Sequence, residues 1–534
     1  MTAATMAPPR PGPAAGRDSF AYVLHAEWTK FRTVRGWVIA VVVGALVTLL
    51  IGVYTGARSQ DGCATGPCHF TIPTGPGGEA VTDTYYFVHR PLAGDGSITV
   101  RVTSLATVLD GGLTPQGPTS TQPAAVPWSK AGLLIGAGPG QGAAYAAVMV
   151  TGGHGTRMQW NYTGDSPGLA GGVSAAAPRW LRLTRDGDVL TGYDSADGRH
   201  WTRLGTVTVP GLAATVQAGL FATSPGYTAT SSQQLSGSSG SGAPTDATAT
   251  FDRVSLRGGW PGTGPGTASA GAAWAGTSVN GGRDSISYPS GTVAGYHQAG
   301  GAFTVTGSGD IAPGVDGASS IDATLAGLFI GLVAVIVVGA LFMAAEYRRG
   351  LIRVTLAASP RRGRVLAAKA VVLGAVTFAA GLTGSAGAIL IGTPLLRANG
   401  NPIYPASALT DARVIVGTAA LVAVFAVFAL GVGAILRHGA ATVTVVITAV
   451  VLPYLLAAAF PVLPDGAADW LLRITPAAGF AIKQVIPAYP QVAGSFSSYQ
   501  GYFPLAPWAG FAVTCGYAAL ALALGAWSLR RRDA

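Results

Sequence analysis

Charge is what this sequence has least of. Charged residues fill 10% of its 534 positions, against about 25% in an ordinary soluble domain, which excludes a single water-soluble globule. Lysine is scarcer still. Of 33 basic residues only Lys30, Lys130, Lys369 and Lys483 are lysine. Cysteine occurs three times. Cys63 and Cys68, in "CATGPC", are the candidates for a short disulfide-closed loop in an oxidising exterior. Their one adjacent extra ligand is His69, too few for a metal centre. Cys515 falls inside an apolar run and reads as a small buried residue. No GxxxxGK[ST] phosphate loop occurs, which excludes ATP hydrolysis in the usual P-loop manner. The interiors of the later apolar runs hold no ionisable side chain, which counts against proton- or sodium-driven transport.

What is present is apolar sequence in two separated groups. One run covers 36–54; five more cover about 323–345, 367–391, 412–436, 441–460 and 507–529. A bilayer core of roughly 30 Å needs about 20 apolar residues per helix, so each run can cross. An even number of crossings puts both termini on one side and the 57–322 insert on the other. The net charge of +10 gathers at Lys30, Arg32 and Arg35, at Arg348 to Lys369, at Arg437 and at Arg530 to Arg532. By the positive-inside rule those ends face the cytoplasm, so the basicity reads as topology and not as nucleic-acid binding. The first run starts too late and is too long for a cleaved signal peptide; it reads as a signal anchor.

Residues 1–17 are Pro/Ala/Gly-rich and read as disordered. Over 18–35 a helical stripe of Phe20, Leu24, Trp28 and Phe31, with Glu27, Lys30 and Arg35 off it, predicts an amphipathic helix lying in the inner membrane interface. From 84 to 257 the period becomes two. "SITVRVTS" alternates Ile98, Val100 and Val102 against Thr99, Arg101 and Thr103, and Asp-Gly pairs in "TRDGDVLTGY" and "YDSADGRHWTRL" mark hairpins. This predicts an all-β sandwich at about 80–257. Gly/Ser-rich stretches at 226–246 and 258–300 read as linkers, before one more strand-like run at 301–313. Asp186, Asp188, Asp194 and Asp197 fall at hairpin turns, where Asp is favoured for backbone reasons, and not as a pair flanking a glycosidic bond. Trp160, Tyr162 and Trp201, with His154, are candidate contacts for a glycan or partner. Thr377, Thr383, Ser385, Thr442, Thr444 and Thr448 read as packing contacts inside the spans.

Two segments, "HAEWTKFRTVRGW" and "AEYRRGLIRVTLAASPRRGRVLAAKA", resemble bacterial ATP-binding-cassette (ABC) permeases of the type-2 exporter class, over 18–56 and 320–532. The resemblance implies an interfacial "elbow" helix at 18–35. It also implies an ATPase-coupling loop at 346–366, with Glu346, Tyr347, Arg348, Arg349, Gly350 and Arg353, then Thr355, Leu356, Pro360, Arg361, Arg362 and Arg364. The insert, in "YYFVHRPLAGDGSITVRVTSL" and "WLRLTRDGDVLTGYDSADGRHWTRLG", resembles concanavalin-type lectin/glucanase jelly rolls. There the strand resembling 301–313 usually comes first, so the order here implies a circular permutation.

The expected fold is therefore a membrane all-α part of six transmembrane helices (36–56 and five in 323–532) carrying a large inserted extracellular β-sandwich. The expected function is the permease subunit of an ATP-driven exporter in a bacterial plasma membrane, with no enzyme site or cofactor of its own; ATP and Mg belong to the partner. Expected partners are a cytoplasmic ABC ATPase, a second permease subunit (the same or different), membrane lipids and, through the sandwich, a cell-wall glycan. The alternatives are an anchored glycan-binding surface protein and an ATPase-coupled signalling or mechanotransmission complex. No residue names the substrate.

Overall fold

The computed structural model describes residues 20–59, 72–109, 122–229, 241–261, 273–280, 294–314, 319–348, 361–459, 465–492 and 501–531, with a few isolated positions between them. Six helices are long and apolar enough to cross a membrane: Arg35–Arg58, Leu328–Arg348, Arg362–Ala398, Ala408–Leu436, Gly439–Ala457 and Pro507–Arg531. We call them the first to sixth spans. A separate helix, Phe20–Thr33, precedes the first. The fourth span stops at Arg437, whose φ of 58° is left-handed. The fifth restarts at once, with the His438 ring accepting from the Ala441 amide.

Small residues let the spans approach closely, the usual way apolar helices associate in lipid. A Cβ on Gly52 would lie 2.3 Å from the Thr324 carbonyl oxygen and 2.7 Å from Ala388 Cβ. One on Gly56 would lie 2.5 Å from the Gly392 oxygen. Several buried hydroxyls are satisfied inside the bundle: Thr377 donates to the Leu373 carbonyl at 2.7 Å, and Ser385 to Gly381 and, across to the fourth span, Ile415. Thr442 bonds back to His438. Thr444 and Thr448 differ from expectation: both lie on the exposed side of the fifth span.

The insert is a sandwich of two large antiparallel sheets. The first runs, in spatial order, Gly164–Pro167, Thr156–Trp160, Tyr145–Thr151, Lys130–Gly136, Thr215–Thr223, Tyr85–Ala93 and Ala275–Val279. The second runs Thr202–Thr208, Val189–Ser195, Arg179–Asp186, Gly96–Leu109, Thr245–Gly258, Ala302–Ser308 and Gly295–Ala299, with Gln122–Pro123 paired off this path to Gly96–Leu109. Ile98, Val100, Val102, Leu181, Leu183, Leu190, Phe251, Phe303 and Val305 fill the space between the sheets. Their alternation with polar neighbours is what a sheet with one dry face produces. The middle of the first sheet is dry on both faces: Lys130–Gly136 and Tyr145–Thr151 are buried throughout. Its outer face is closed by Val81–Asp83, paired to Ile311–Pro313, and by the Tyr162 ring.

Residues 302–308 pair with Thr245–Gly258 inside the second sheet. The stretch read as linker at 258–300 needs correcting. Residues 275–279 form an edge strand on Tyr85–Ala93, and 295–299 one on Ala302–Ser308. The Gly/Ala/Ser composition hid them, because an edge strand needs little side-chain packing to pair its backbone. The linker read at 226–246 likewise overlaps the start of Thr245–Gly258. The third span begins at Arg362, five residues earlier than the apolar run suggested.

Candidate functional site

The residues expected to couple the permease to an ATPase surround the connection between the second and third spans. Of these, Arg349, Arg353, Thr355, Leu356 and Pro360 lie outside the described residues. The two ends of the connection are described, and a cluster of four charges, three of them buried, closes them together.

Glu346 sits on the last turn of the second span and Lys369 two turns into the third. Lys369 Nζ lies 2.7 Å from Glu346 Oε1 and 2.6 Å from Glu27 Oε2. Glu27 belongs to the preceding amphipathic helix. Lys30, one turn further along that helix, reaches Glu27 Oε1 at 2.8 Å and Glu346 Oε1 at 3.1 Å. Glu27 and Lys369 are each 1% exposed and Glu346 is 5% exposed. Two lysines and two glutamates thus neutralise each other where either charge alone would be costly. The Phe342 ring covers Lys369 at 4.3 Å, and Phe31 and Trp37 pack edge-on to Phe342 at 5.6 and 5.1 Å. That aromatic wall keeps water from the pairs and strengthens them.

Three further contacts fix the same end. Arg437, in the turn between the fourth and fifth spans, lies over the Tyr347 ring at 5.1 Å. Arg362 Nη1 donates to the Leu529 carbonyl at the end of the sixth span. Arg348 and Gly350 are exposed, and Gly350 has a left-handed φ of 66°. The arrangement makes a neck: the loop's ends are pinned to each other, to the amphipathic helix and to two other span ends.

Several sequence expectations change here. Glu346, implied only as part of the coupling loop, makes two ion pairs. Lys369 was placed at the water edge with the basic loop, but the earlier helix start carries it into the dry interior. The stripe of the amphipathic helix divides. Phe20 and Trp28 stay open at 38% and 43%, Phe31 is buried in the aromatic wall, and Leu24 packs on the span core. Glu27, read as off the stripe, is its most deeply buried polar residue. No local spacing could have revealed this, since Glu27 and Lys369 are 342 positions apart.

At the opposite end of the spans neutral joints predominate. Asn401 Nδ2 donates to the carbonyls of Ser59 and Leu396 at 2.9 and 3.0 Å, and Ser59 Oγ donates back to Asn401 Oδ1. Asn399 Nδ2 donates to Gly56 and Ala57. From the segment before the sixth span, Gln491 Nε2 reaches the Thr163 carbonyl of the sandwich at 2.9 Å. Lys483 is buried among Phe329, Tyr454 and Phe480, 4.0 Å from Asp322.

The three aromatics proposed for glycan contact do not converge. Tyr162 is 2% exposed, edge-on to Tyr145 at 5.0 Å, and its hydroxyl donates to the Ala143 carbonyl. Trp160 is half-buried across Gly164 in the first sheet. Trp201 lies at the edge of the second sheet. His154 stacks on Trp128 at 4.0 Å. Asp194, read as a turn residue, instead lies fully buried inside the strand Val189–Ser195, opposite Leu181, and accepts from Leu169 N, whereas Asp197 accepts from Arg199 N and His200 N. Burial pushes the Asp83 carboxyl up to about 6, against the Gly142 amide and Tyr162 hydroxyl that lower it. A second buried pair, Lys130 to Asp310 at 2.6 Å, ties the first sheet to the closing strand. Cys68 and the Cys63 side chain lie outside the described residues, and Cys515 is unpaired and half-buried. Among the described residues no three His, Cys, Asp or Glu side chains gather as a metal site.

A β-sandwich carried on six span-forming helices, with a pinned neck below the second and third, describes a membrane transport component. Comparison with known families agrees: the family described as ABC-2 family transporter protein matches residues 209–534. The chain belongs to that family. The match begins inside the sandwich and does not include the 18–56 segment. No curated protein matches. Among solved structures, a functionally unknown protein from Saccharomyces cerevisiae is similar at 17% identity, over 37% of this chain and 91% of that one, with a TM-score of 0.19. The GH43 BlXynB protein from Bacillus licheniformis is similar at 18% identity, over 30% and 27%, with a TM-score of 0.18. Scytalido-glutamic peptidase is similar at 8% identity, over 42% and 98%, with a TM-score of 0.22. Likenesses this low carry no argument, and they lend the concanavalin-type resemblance no support.

Proposed function

We propose that this chain is the membrane subunit of an ATP-driven exporter, working as a pair of permease subunits with separate cytoplasmic ATPase subunits. In this reading the neck and both termini face the cytoplasm of a bacterial cell, and the sandwich faces outward. The observation that carries it is the four-charge neck. A loop that merely connects two helices needs no buried ionic closure at its base. A loop that must pass a push to the helices does, because slack at the base would absorb the movement. With Glu346 locked to Lys369 and to Lys30, displacement of residues 349–360 turns the second span, the third span and the amphipathic helix as one body. Binding and release of ATP on the partner would supply that displacement, moving substrate outward.

The test is co-purification from native membranes in mild detergent, with ATPase activity assayed for the intact chain and for an Arg348→Ala/Arg349→Ala/Arg353→Ala variant. A P-loop ATPase that accompanies the intact chain and is lost with the variant supports the reading. Absence of any ATPase from both removes the motor and with it the exporter assignment.

A further inference from the structure

The outer face of the second sheet carries a row of cations with no acidic partners. The register aligns Arg203, Tyr193, Arg182, Thr99 and Ser255 across five neighbouring strands. All five point away from the sandwich core, opposite in sense to Leu181, Leu183 and Val100. Arg203 and Arg182 stand two strands apart, roughly 9–10 Å at ordinary strand spacing, with the Tyr193 ring between them. Arg257, two residues along from Ser255, extends the charge on the other side. None of the three has a carboxylate within ion-pair distance among the described residues, whereas Arg101 on the same face is taken bidentately by Asp252 at 2.7 and 2.5 Å.

Arg182 is set in place before any ligand arrives. Its guanidinium lies 3.9 Å over the Trp201 ring, and its Nε donates to Thr99 Oγ1 at 3.1 Å. Partial burial, and then the neighbouring Arg257, make its charged form less comfortable than usual, a cost that an arriving anion would relieve. The face has no large apolar residue exposed among the described positions of the sandwich, so neither a hydrophobic protein patch nor a membrane-inserting surface is offered. Threonine hydroxyls at Thr191 and Thr206 continue the polar row. The first sheet, not this one, carries the covering strand pair and the Gln491 contact to the span segment, so this face points to the free side.

From this arrangement we infer that the outer face of the second sheet binds an anionic polysaccharide that carries a carboxylate on alternate sugars. Arg203 and Arg182 take successive carboxylates in the planar, two-pronged manner of guanidinium. Tyr193 lies under the uncharged sugar between them. The polymer crosses the strands at right angles, along the row. This goes beyond the exporter reading and needs only that the sandwich be accessible to a polymer.

The experiment measures full-length protein in detergent on immobilised hyaluronate, whose carboxylates fall on alternate sugars, beside neutral dextran and anionic phospholipid vesicles. Hyaluronate binding that weakens with salt, with no retention on dextran, is expected. Arg182→Gln/Arg203→Gln/Arg257→Gln should weaken it at least tenfold, with an unchanged thermal melt. Trp201→Ala, which removes the platform but no charge, should weaken it by a few fold. Equal binding of the triple variant, equal retention on dextran, or binding to anionic vesicles alone would overturn the inference. None of these outcomes bears on ATPase association, which is read separately.

Discussion

The two ends of the span bundle are held by different chemistry. At the neck, three elements distant in sequence meet through full charges in a dry site. At the sandwich end, Ser59, Asn399, Asn401 and Gln491 make neutral hydrogen bonds, mostly to backbone carbonyls, and the charged contact there, Lys483 to Asp322, is a looser 4.0 Å. A buried ionic joint is unforgiving: it holds its geometry or fails, because a stranded charge costs several kcal/mol. An amide-to-carbonyl joint nets about 1 kcal/mol and can exchange for water at small cost. On the proposed function, such a neck would transmit position and the sandwich end would tolerate movement.

The largest break in that comparison should come from Lys369→Met, which leaves Glu27 and Glu346 facing each other behind the aromatic wall. We expect a loss of about 3–5 kcal/mol, read as a fall in thermal stability of the purified protein. Adding Glu346→Gln should recover part of it, since Glu27 then keeps Lys30. No recovery would mean that the cluster does not act as one unit.

At the sandwich end the largest effect should come from pH. Burial holds the Asp83 proton up to about 6 in the folded chain, whereas the unfolded chain releases it near the ordinary carboxylate value. The folded state therefore binds the extra proton between about pH 4 and 6. Stability from this group is present at the acid end and is lost as pH rises through that window. The loss is about 3 kcal/mol at 1.36 kcal/mol per unit. Melts of Asp83→Asn and the parent should diverge as pH rises from 4 to 7, with the variant the more stable at neutrality. Parallel curves would remove Asp83 as the cause.

Smaller effects sharpen the contrast. Gly52→Ala drives a methyl into the Thr324 carbonyl and Ala388, and should cost about 1–3 kcal/mol. Asn401→Ala should cost about 1–2 kcal/mol without lowering ATPase association in the co-purification assay. A loss of association with Asn401→Ala would show that the two ends are not mechanically distinct.

Much of this architecture was legible in the sequence. The spans stand out because each must bury some 20 residues in hydrocarbon, and the second sheet because one wet face and one dry face force alternation. The first sheet was less so. Once Val81–Asp83 and Tyr162 cover its outer face, strands such as 145–151 become apolar on both sides and lose the period of two. The neck was half-legible. Glu346 and the basic loop were singled out, but the partners that define the site, Glu27, Lys30 and Lys369, are joined only by the fold. Lys369 was misread because a polar helical turn, Arg362 to Val365, precedes the apolar run and moves the helix start. The row Arg203–Tyr193–Arg182 could not be seen at all, since it depends on strand register and on a bulge between Gly192 and Tyr193.

The scarcity of lysine has a practical side. Lys130, Lys369 and Lys483 are buried, while Lys30 keeps 38% of its side chain open. An amine-reactive ester meets its one partly open lysine at the neck, where, against the pull of burial, Glu27 and Glu346 hold the ammonium protonated. The rate of that labelling thus reads the neck itself: slow while the ion pairs hold, and quicker whenever they part.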